Sequence, residues 1–177
     1  MTDFWVFAYG SLMWRPGFDH VESVTAHLPG ARRALCIWSH VHRGTPDKPG
    51  LVLGLDRGGS CRGVAYRVAG GNRDTVLAYL RERELITHVY REVIRPIRLD
   101  TPDRTVVPAV VYVVDRAHGQ YAGALTPEAI LAHVRRGRGQ SGENADYVIN
   151  TVDHLRSLGF RDTGLEKIAA ALVAERR

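Results

Sequence analysis

The 177-residue chain is 45% hydrophobic and carries a net charge of +5. Its only lysines are Lys48 and Lys167, so the positive charge comes almost wholly from arginine. This composition is typical of a soluble globular protein with room for a core and a pocket, and we expect residues 1–177 to form one domain. No apolar run approaches the ~20 residues of a membrane-spanning helix, and the N-terminus lacks a signal-peptide pattern, so the predicted compartment is the cytoplasm.

The arginines are spread from Arg15 to Arg177, with acidic residues between them in most segments. Nucleic-acid modules concentrate their charge on one face and add a recognisable motif, and neither feature is evident here. We therefore expect neither a nucleic acid nor a membrane as partner, although RNA binding stays open as an alternative. Cys36 and Cys61 are isolated, as is typical of reduced structural thiols.

Short runs rich in Val, Ile and Tyr, separated by Gly, Pro or Asp, predict strands. They cover residues 5–9, 33–38, 51–55, 63–68, 89–99 and 105–115.

Helices are predicted from start and stop signals. The first begins after Asn72 and ends near Glu84, and the second begins at Pro127, with Thr126 as its N-cap, and ends near Gly137. A third covers residues 144–158, and the last opens at Thr163 with a capping box completed by Glu166. Strands thus fill the first two thirds and helices the last third, which favours an α+β fold with a curled sheet or small barrel against helices.

The first strand ends in a turn at Gly10, followed by Ser11, Leu12 and Met13. A glycine here lets a ligand approach the main chain. The amides of residues 10–12 can then converge on one carboxylate or oxyanion. An ordinary turn is the alternative.

Glu84 lies on the apolar side of the first predicted helix. At 100° per residue it falls near Leu77 and Leu80, whereas Glu82 falls on the solvent side. A carboxyl among apolar neighbours has a raised pKa, as a general acid/base near neutral pH requires. A structural ion pair with an arginine is the alternative.

Two other polar stretches are weaker candidates. His40 and His42 share one side of a strand edge, but a third metal ligand with suitable spacing is missing, so no metal site is expected. Arg43 in the same stretch either anchors its loop or recognises an anion. The glycine-rich segment 135–147 leads into a helix and matches no P-loop or dinucleotide fingerprint.

Taken in order, several motifs resemble those of the ChaC-like, glutathione-specific γ-glutamylcyclotransferases. They are Val6-Phe7-Ala8-Tyr9-Gly10-Ser11-Leu12-Met13-Trp14, His42-Arg43-Gly44-Thr45-Pro46 with Pro49-Gly50, Gly63-Val64-Ala65-Tyr66, Tyr79-Leu80 with Arg83-Glu84, and Ser141-Gly142, Asn144 and Tyr147. Their order and spacing cover nearly the whole chain. One departure is Ala8, where many members of the family carry glycine.

The resemblance implies a mixed α/β fold built on a small barrel, with neither metal nor cofactor. It implies a small-molecule substrate, reduced glutathione, cleaved to 5-oxoproline and cysteinylglycine. The family's catalytic glutamate falls on Glu84, its substrate-binding loop on Tyr9 to Met13, and a pocket tyrosine on Tyr147. Arg43 is expected, from its loop position, to bind substrate as well. A cyclotransferase for other γ-glutamyl amides or amines, or a non-catalytic binding module, remains an alternative, and the oligomeric state is undetermined.

Overall fold

The computed structural model describes all 177 residues, and five of its strands form a closed barrel. These are β1 (Phe4–Ala8), β2 (Glu22–Ser39), β3 (Gly50–Val68), β4 (Tyr90–Leu99) and β5 (Val106–Val114). Their order around the barrel is β1-β3-β2-β4-β5, and a parallel pairing of β5 with β1 closes it. Since the β1–β3, β2–β4 and β4–β5 pairs are antiparallel, the barrel is mixed, as predicted.

The helices are α1 (Arg73–Glu84), α2 (Pro127–Arg136), α3 (Asn144–Ser157) and α4 (Thr163–Ala174). Together with the barrel they confirm the α+β class. None of them combines the length and the hydropathy that a membrane-spanning helix needs.

The chain divides into two compact units. Residues 1–33 and 55–118 form the first, and residues 34–54 and 119–177 form the second. Strands β2 and β3 each contribute residues to both units. The single domain over residues 1–177 remains a prediction.

Strand β1 forms because its short run of aromatic and β-branched residues is covered on both sides. Val6 and Phe7 point to opposite sides of the strand, and each is at most 1% exposed. Strand β1 pairs with β3 along its whole length. The barrel therefore fixes the direction in which the chain leaves β1 at Ala8.

Strands β2 and β3 are longer than predicted. The prediction began β2 near residue 33 and divided β3 into two pieces, because prolines and glycines usually end strands. Gly30, Gly58 and Gly59 instead adopt positive φ angles of 79°, 98° and 66° inside these strands. Glycine tolerates this conformation, so each strand bends there and continues.

The helix boundaries lie close to those predicted, but one cap differs. Thr126 caps α2 as expected, its Oγ1 accepting a hydrogen bond from Ala129 N at 3.2 Å. The capping box at Thr163 is wrong: the cap of α4 is Asp162, whose Oδ1 accepts from Leu165 N at 3.1 Å. Glu166 is bound by Arg161 instead, through two hydrogen bonds of 2.7 and 2.9 Å.

The predicted glycine-rich loop before α3 contains a two-stranded hairpin, β6 (Arg138–Gly139) and β7 (Gly142–Glu143). The amides of Gln140 and Ser141 donate to the carbonyls of Val41 and His42, at 2.8 and 2.9 Å. The loop is therefore held by main-chain hydrogen bonds.

Candidate active site

The chain leaves β1 and turns into a single turn of 3₁₀ helix, Ser11–Met13. Met13 N donates to Gly10 O at 2.9 Å, and Arg15 N donates to Ser11 O at 2.8 Å. The amides of Gly10, Ser11 and Leu12 have no acceptor within the chain. The first amides of a helical turn have no partner within the helix, so these three N–H groups are available to a ligand.

The main chain at Gly10 faces open space. A Cβ built on Gly10 meets no atom within 4 Å, and Ser11 beside it is exposed. This open space leaves room for a ligand beside the turn, and binding of a ligand there stays a prediction.

The other side of the turn is fixed to the barrel. The buried Tyr66 of β3 directs its hydroxyl at the carbonyls of Leu12 and Met13, at 3.1 and 2.7 Å. Burial raises the pKa of Tyr66, so this hydroxyl remains a donor. Arg33 Nε donates to Tyr9 O at 2.7 Å. These contacts fix the carbonyls of Tyr9, Leu12 and Met13 to strands of the barrel.

Glu84 is the last residue of α1, the helix that buries Leu77 and Leu80 on the same side. Its side chain is only 16% exposed, whereas Glu82 is exposed. The different environments predicted for the two acids are therefore confirmed. Burial raises the pKa of the Glu84 carboxyl, and the adjacent Arg83 guanidinium partly offsets that rise.

Arg83 connects Glu84 to the turn. Its Nη2 donates to Ser11 Oγ at 2.9 Å, and its Nη1 donates to Arg15 O at 2.7 Å and Tyr79 Oη at 3.0 Å. Its Nε lies 3.4 Å from Glu84 Oε1. One guanidinium thus contacts both the proposed base and the proposed binding turn.

Arg83 was not among the site residues predicted from the sequence. Its signals in the sequence are its place in the Arg83-Glu84 motif and its position one helical turn after Tyr79. Nothing in that spacing indicates that the side chain reaches back to Ser11.

A second polar group lies near Glu84 in the first unit. Arg81 binds Glu92 through two hydrogen bonds of 2.9 and 2.8 Å, and the buried Tyr112 donates its hydroxyl to Glu92 at 3.0 Å. The Arg81 guanidinium lowers the pKa of Glu92. Burial raises the pKa of Tyr112, and the charges of Glu92 and, to a smaller extent, Glu84 add to the rise. None of the residues Arg81, Glu92 and Tyr112 was predicted from the sequence as part of a site.

Arg43 and Tyr147 lie together in the second unit, whereas Glu84 and the Tyr9–Met13 segment lie in the first. The Arg43 guanidinium is 5.5 Å from the centre of the Tyr147 ring, and its Nη1 donates to Glu143 O at 3.2 Å. The Tyr147 hydroxyl accepts a hydrogen bond from Leu53 N at 3.0 Å. Both side chains therefore have local structural contacts, and their binding of substrate stays a prediction.

Most of the remaining polar candidates have structural partners, but the buried Nδ1 of His40 has no hydrogen-bond partner. His42 Nδ1 lies 3.0 Å from Ser141 Oγ, and no three His, Cys, Asp or Glu residues are grouped so as to hold a metal ion. Asn144 is fully buried and exchanges two hydrogen bonds of 2.8 Å with the main chain of Leu51. Cys36 and Cys61 are both buried, as expected of structural thiols.

The model of the ChaC-like protein family matches residues 4–175 of this chain. The glutathione-specific γ-glutamylcyclotransferase of Escherichia coli (strain K12) is 35% identical over 168 residues, covering 95% of this chain and 72% of that protein. Glutathione-specific γ-glutamylcyclotransferase 1 of Mus musculus is 34% identical over 173 residues, covering 95% of this chain and 77% of that protein. γ-Glutamylcyclotransferase 2-3 of Arabidopsis thaliana is 33% identical over 173 residues, covering 93% of this chain and 86% of that protein.

The fold is also that of a solved structure. The crystal structure of the γ-glutamyl cyclotransferase specific to glutathione from yeast matches with a TM-score of 0.85 at 20% identity, covering 98% of this chain and 97% of that one. At this identity the match concerns the fold, and the family assignment rests on the sequence matches. This chain belongs to the ChaC-like family.

Proposed function

We propose that this protein is a glutathione-specific γ-glutamylcyclotransferase, which converts reduced glutathione to 5-oxoproline and cysteinylglycine. The observation that carries the proposal is the largely buried Glu84, connected through Arg83 to a turn whose amides have no acceptor. The names of the E. coli and mouse relatives support the same reaction. The proposed cell compartment is the cytoplasm.

The reaction is an intramolecular aminolysis. The α-amine nitrogen of the γ-glutamyl group bonds to its own γ-carbonyl carbon, which closes a five-membered ring, and the bond from that carbon to the cysteine nitrogen then breaks. Because nucleophile and electrophile belong to one molecule, holding them in the reactive conformation supplies much of the rate. No electrons are transferred and the nucleophile comes from the substrate, so the reaction as written requires no cofactor.

Glu84 is the proposed general acid/base. The substrate amine is largely protonated near neutral pH and must lose a proton before it can attack. The Glu84 carboxylate takes that proton, and the carboxylic acid then gives it to the departing cysteine nitrogen, which leaves as an amine. The attacking nitrogen becomes acidic once its bond to the γ-carbon has formed, and its second proton passes to water, so the lactam nitrogen of 5-oxoproline keeps one hydrogen. The raised pKa of Glu84 makes the carboxylate a stronger base than an exposed glutamate.

The turn is the proposed binding element for the γ-glutamyl group. The amides of Gly10, Ser11 and Leu12 are suited to a carboxylate or to the oxyanion of the tetrahedral intermediate. A well-placed oxyanion donor is worth about 3 kcal/mol in the transition state. Tyr9 and Met13 complete this segment, and Arg43 and Tyr147 remain proposed substrate-binding residues.

Turnover of reduced glutathione by the purified protein tests the proposal. We expect 5-oxoproline and cysteinylglycine in equal amounts by mass spectrometry. In Glu84→Gln, turnover should fall roughly 10²–10⁴-fold, the usual contribution of a general acid/base, with glutathione binding retained. Glu128→Gln is the matched control, because Glu128 is an exposed acid in the first turn of α2. A fully active Glu84→Gln variant would refute the role of Glu84.

A broader γ-glutamyl specificity is the second candidate. It is favoured by the name of the Arabidopsis thaliana relative, which specifies no glutathione. The same mass-spectrometric assay on other γ-glutamyl amides and amines distinguishes the two. Product from those donors but not from glutathione would keep the chemistry and change the substrate, whereas no product from any donor would leave a binding module.

A further inference from the structure

A cleft of about 540 Å³ opens next to the proposed active site. It is lined by Arg15, Gly17, Tyr79, Glu82 and Arg83. Two of the residues that line the cleft contact the turn: Arg15 N donates to Ser11 O, and Arg83 donates to both Ser11 Oγ and Arg15 O. A ligand held by the turn amides therefore has this cleft immediately beside it.

The two arginines of the cleft differ in what they already bind. The Arg83 guanidinium is occupied by Ser11, Tyr79 and the carbonyl of Arg15, with Glu84 beside its Nε. The Arg15 side chain is exposed and makes no hydrogen bond, ion pair or ring contact. Arg15 is thus the cation in this cleft that is available to an anionic ligand.

The leaving group supplies a matching anion, if the proposed function holds. Cysteinylglycine carries one carboxylate, at the end of two residues that span at most about 7 Å from the scissile bond. With that length, the glycine carboxylate can extend from the turn towards the adjacent cleft. A guanidinium binds a carboxylate through two parallel hydrogen bonds.

We propose that Arg15 binds the glycine carboxylate of the substrate and so contributes to the recognition of glutathione. The inference rests on the proposed function and adds the residue that recognises the leaving group. Glu82 lines the same cleft, is exposed and has no ion-pair partner, so its carboxylate repels the ligand carboxylate. Removing that charge is expected to tighten the binding of glutathione.

The test compares glutathione with its glycine monoethyl ester, in which an uncharged ethyl ester replaces the glycine carboxylate. For the wild-type protein we expect kcat/KM to be about tenfold higher for glutathione, as for one charge-assisted contact. In Arg15→Gln, kcat/KM for glutathione should fall to the value for the ester through a higher KM, with kcat and the ester kinetics unchanged. Glu82→Gln should lower the KM for glutathione and not for the ester.

Arg91→Gln is the matched control, because Arg91 is an exposed arginine of β4 whose side chain makes no hydrogen bond or ion pair. It should keep the preference of the wild-type protein for glutathione. The role of Arg15 would be overturned if kcat/KM fell equally for glutathione and for the ester in Arg15→Gln. It would also be overturned if the wild-type protein did not prefer glutathione over the ester, or if the preference were lost in Arg43→Gln instead. A wild-type protein inactive on both compounds would refute the proposed function itself.

Discussion

The buried carboxyl of Glu84 affects stability as well as chemistry. Because burial raises its pKa, the folded protein favours the protonated form more than the unfolded chain does. Ionised Glu84 therefore destabilises the fold above its folded pKa, and this cost is absent below the unfolded value of about 4.3. We expect Glu84→Gln to have a higher Tm than the wild-type protein at pH 8, with the difference shrinking as the pH falls to about 4.

Calorimetric melting of both proteins across that pH range measures the difference. Glu128→Gln should show no such pH-dependent gain, because Glu128 is exposed. A lower Tm of Glu84→Gln at pH 8 would mean that ionised Glu84 stabilises the fold through Arg83. That outcome would show that the attraction of the Arg83 guanidinium outweighs the effect of burial on the pKa of Glu84.

The sequence was sufficient to find Glu84 but not its partners. The burial of Glu84 follows from the helical repeat within α1, which is a local property. The contacts of Arg83 with Ser11 and of Tyr66 with the turn join residues 72 and about 54 positions apart. Such contacts depend on how β1, β3 and α1 approach one another, which no local pattern encodes.

The turn between β1 and the 3₁₀ helix is the element on which substrate binding is proposed to depend. A methyl group at Gly10 meets no atom of the protein within 4 Å, but it would occupy space next to the ligand amides. We expect Gly10→Ala to keep a Tm close to that of the wild-type protein and to raise the KM for glutathione about tenfold or more, as for one lost charge-assisted contact. Calorimetry and steady-state kinetics on the same preparation measure both quantities.

Tyr66→Phe is the contrasting variant for this element. It removes the hydroxyl that binds the carbonyls of Leu12 and Met13 and leaves these buried groups without that donor. The expected cost is about 1–3 kcal/mol in the free energy of unfolding. If Gly10→Ala lost as much stability as Tyr66→Phe, the open space at Gly10 would have a structural role and not a binding role.

At the level of elements, the helices were predicted more accurately than the strands. Their ends depend on nearby side chains, as at Thr126, and even the error at α4 moved the cap by one residue, from Thr163 to Asp162. The extent of β2 and β3 depends on neighbouring strands, which stabilise positive-φ glycines that would end an isolated strand. Barrel closure by β1 and β5 is likewise a long-range pairing.

At the level of the whole molecule, many of the arginines are neutralised by acids. Arg67 binds Asp3 and Glu22, and Arg176 binds Glu143 and Asp146. Over the whole chain, basic residues still exceed acidic residues, which leaves the net charge of +5. Because glutathione has a net charge of about −1 at neutral pH, this excess attracts the proposed substrate at long range.

We therefore expect kcat/KM for glutathione to fall a few-fold as NaCl is raised from about 20 to 300 mM, since the screening length shortens to a few ångströms. Because steering acts on the encounter, kcat should not change. The glycine monoethyl ester of glutathione is the control, because it has no net charge and its kcat/KM should be independent of salt. An equal fall for both substrates would mean that salt perturbs the protein rather than the encounter. Steeply salt-dependent binding of RNA in filter assays would instead support the alternative in which the arginines contact phosphates.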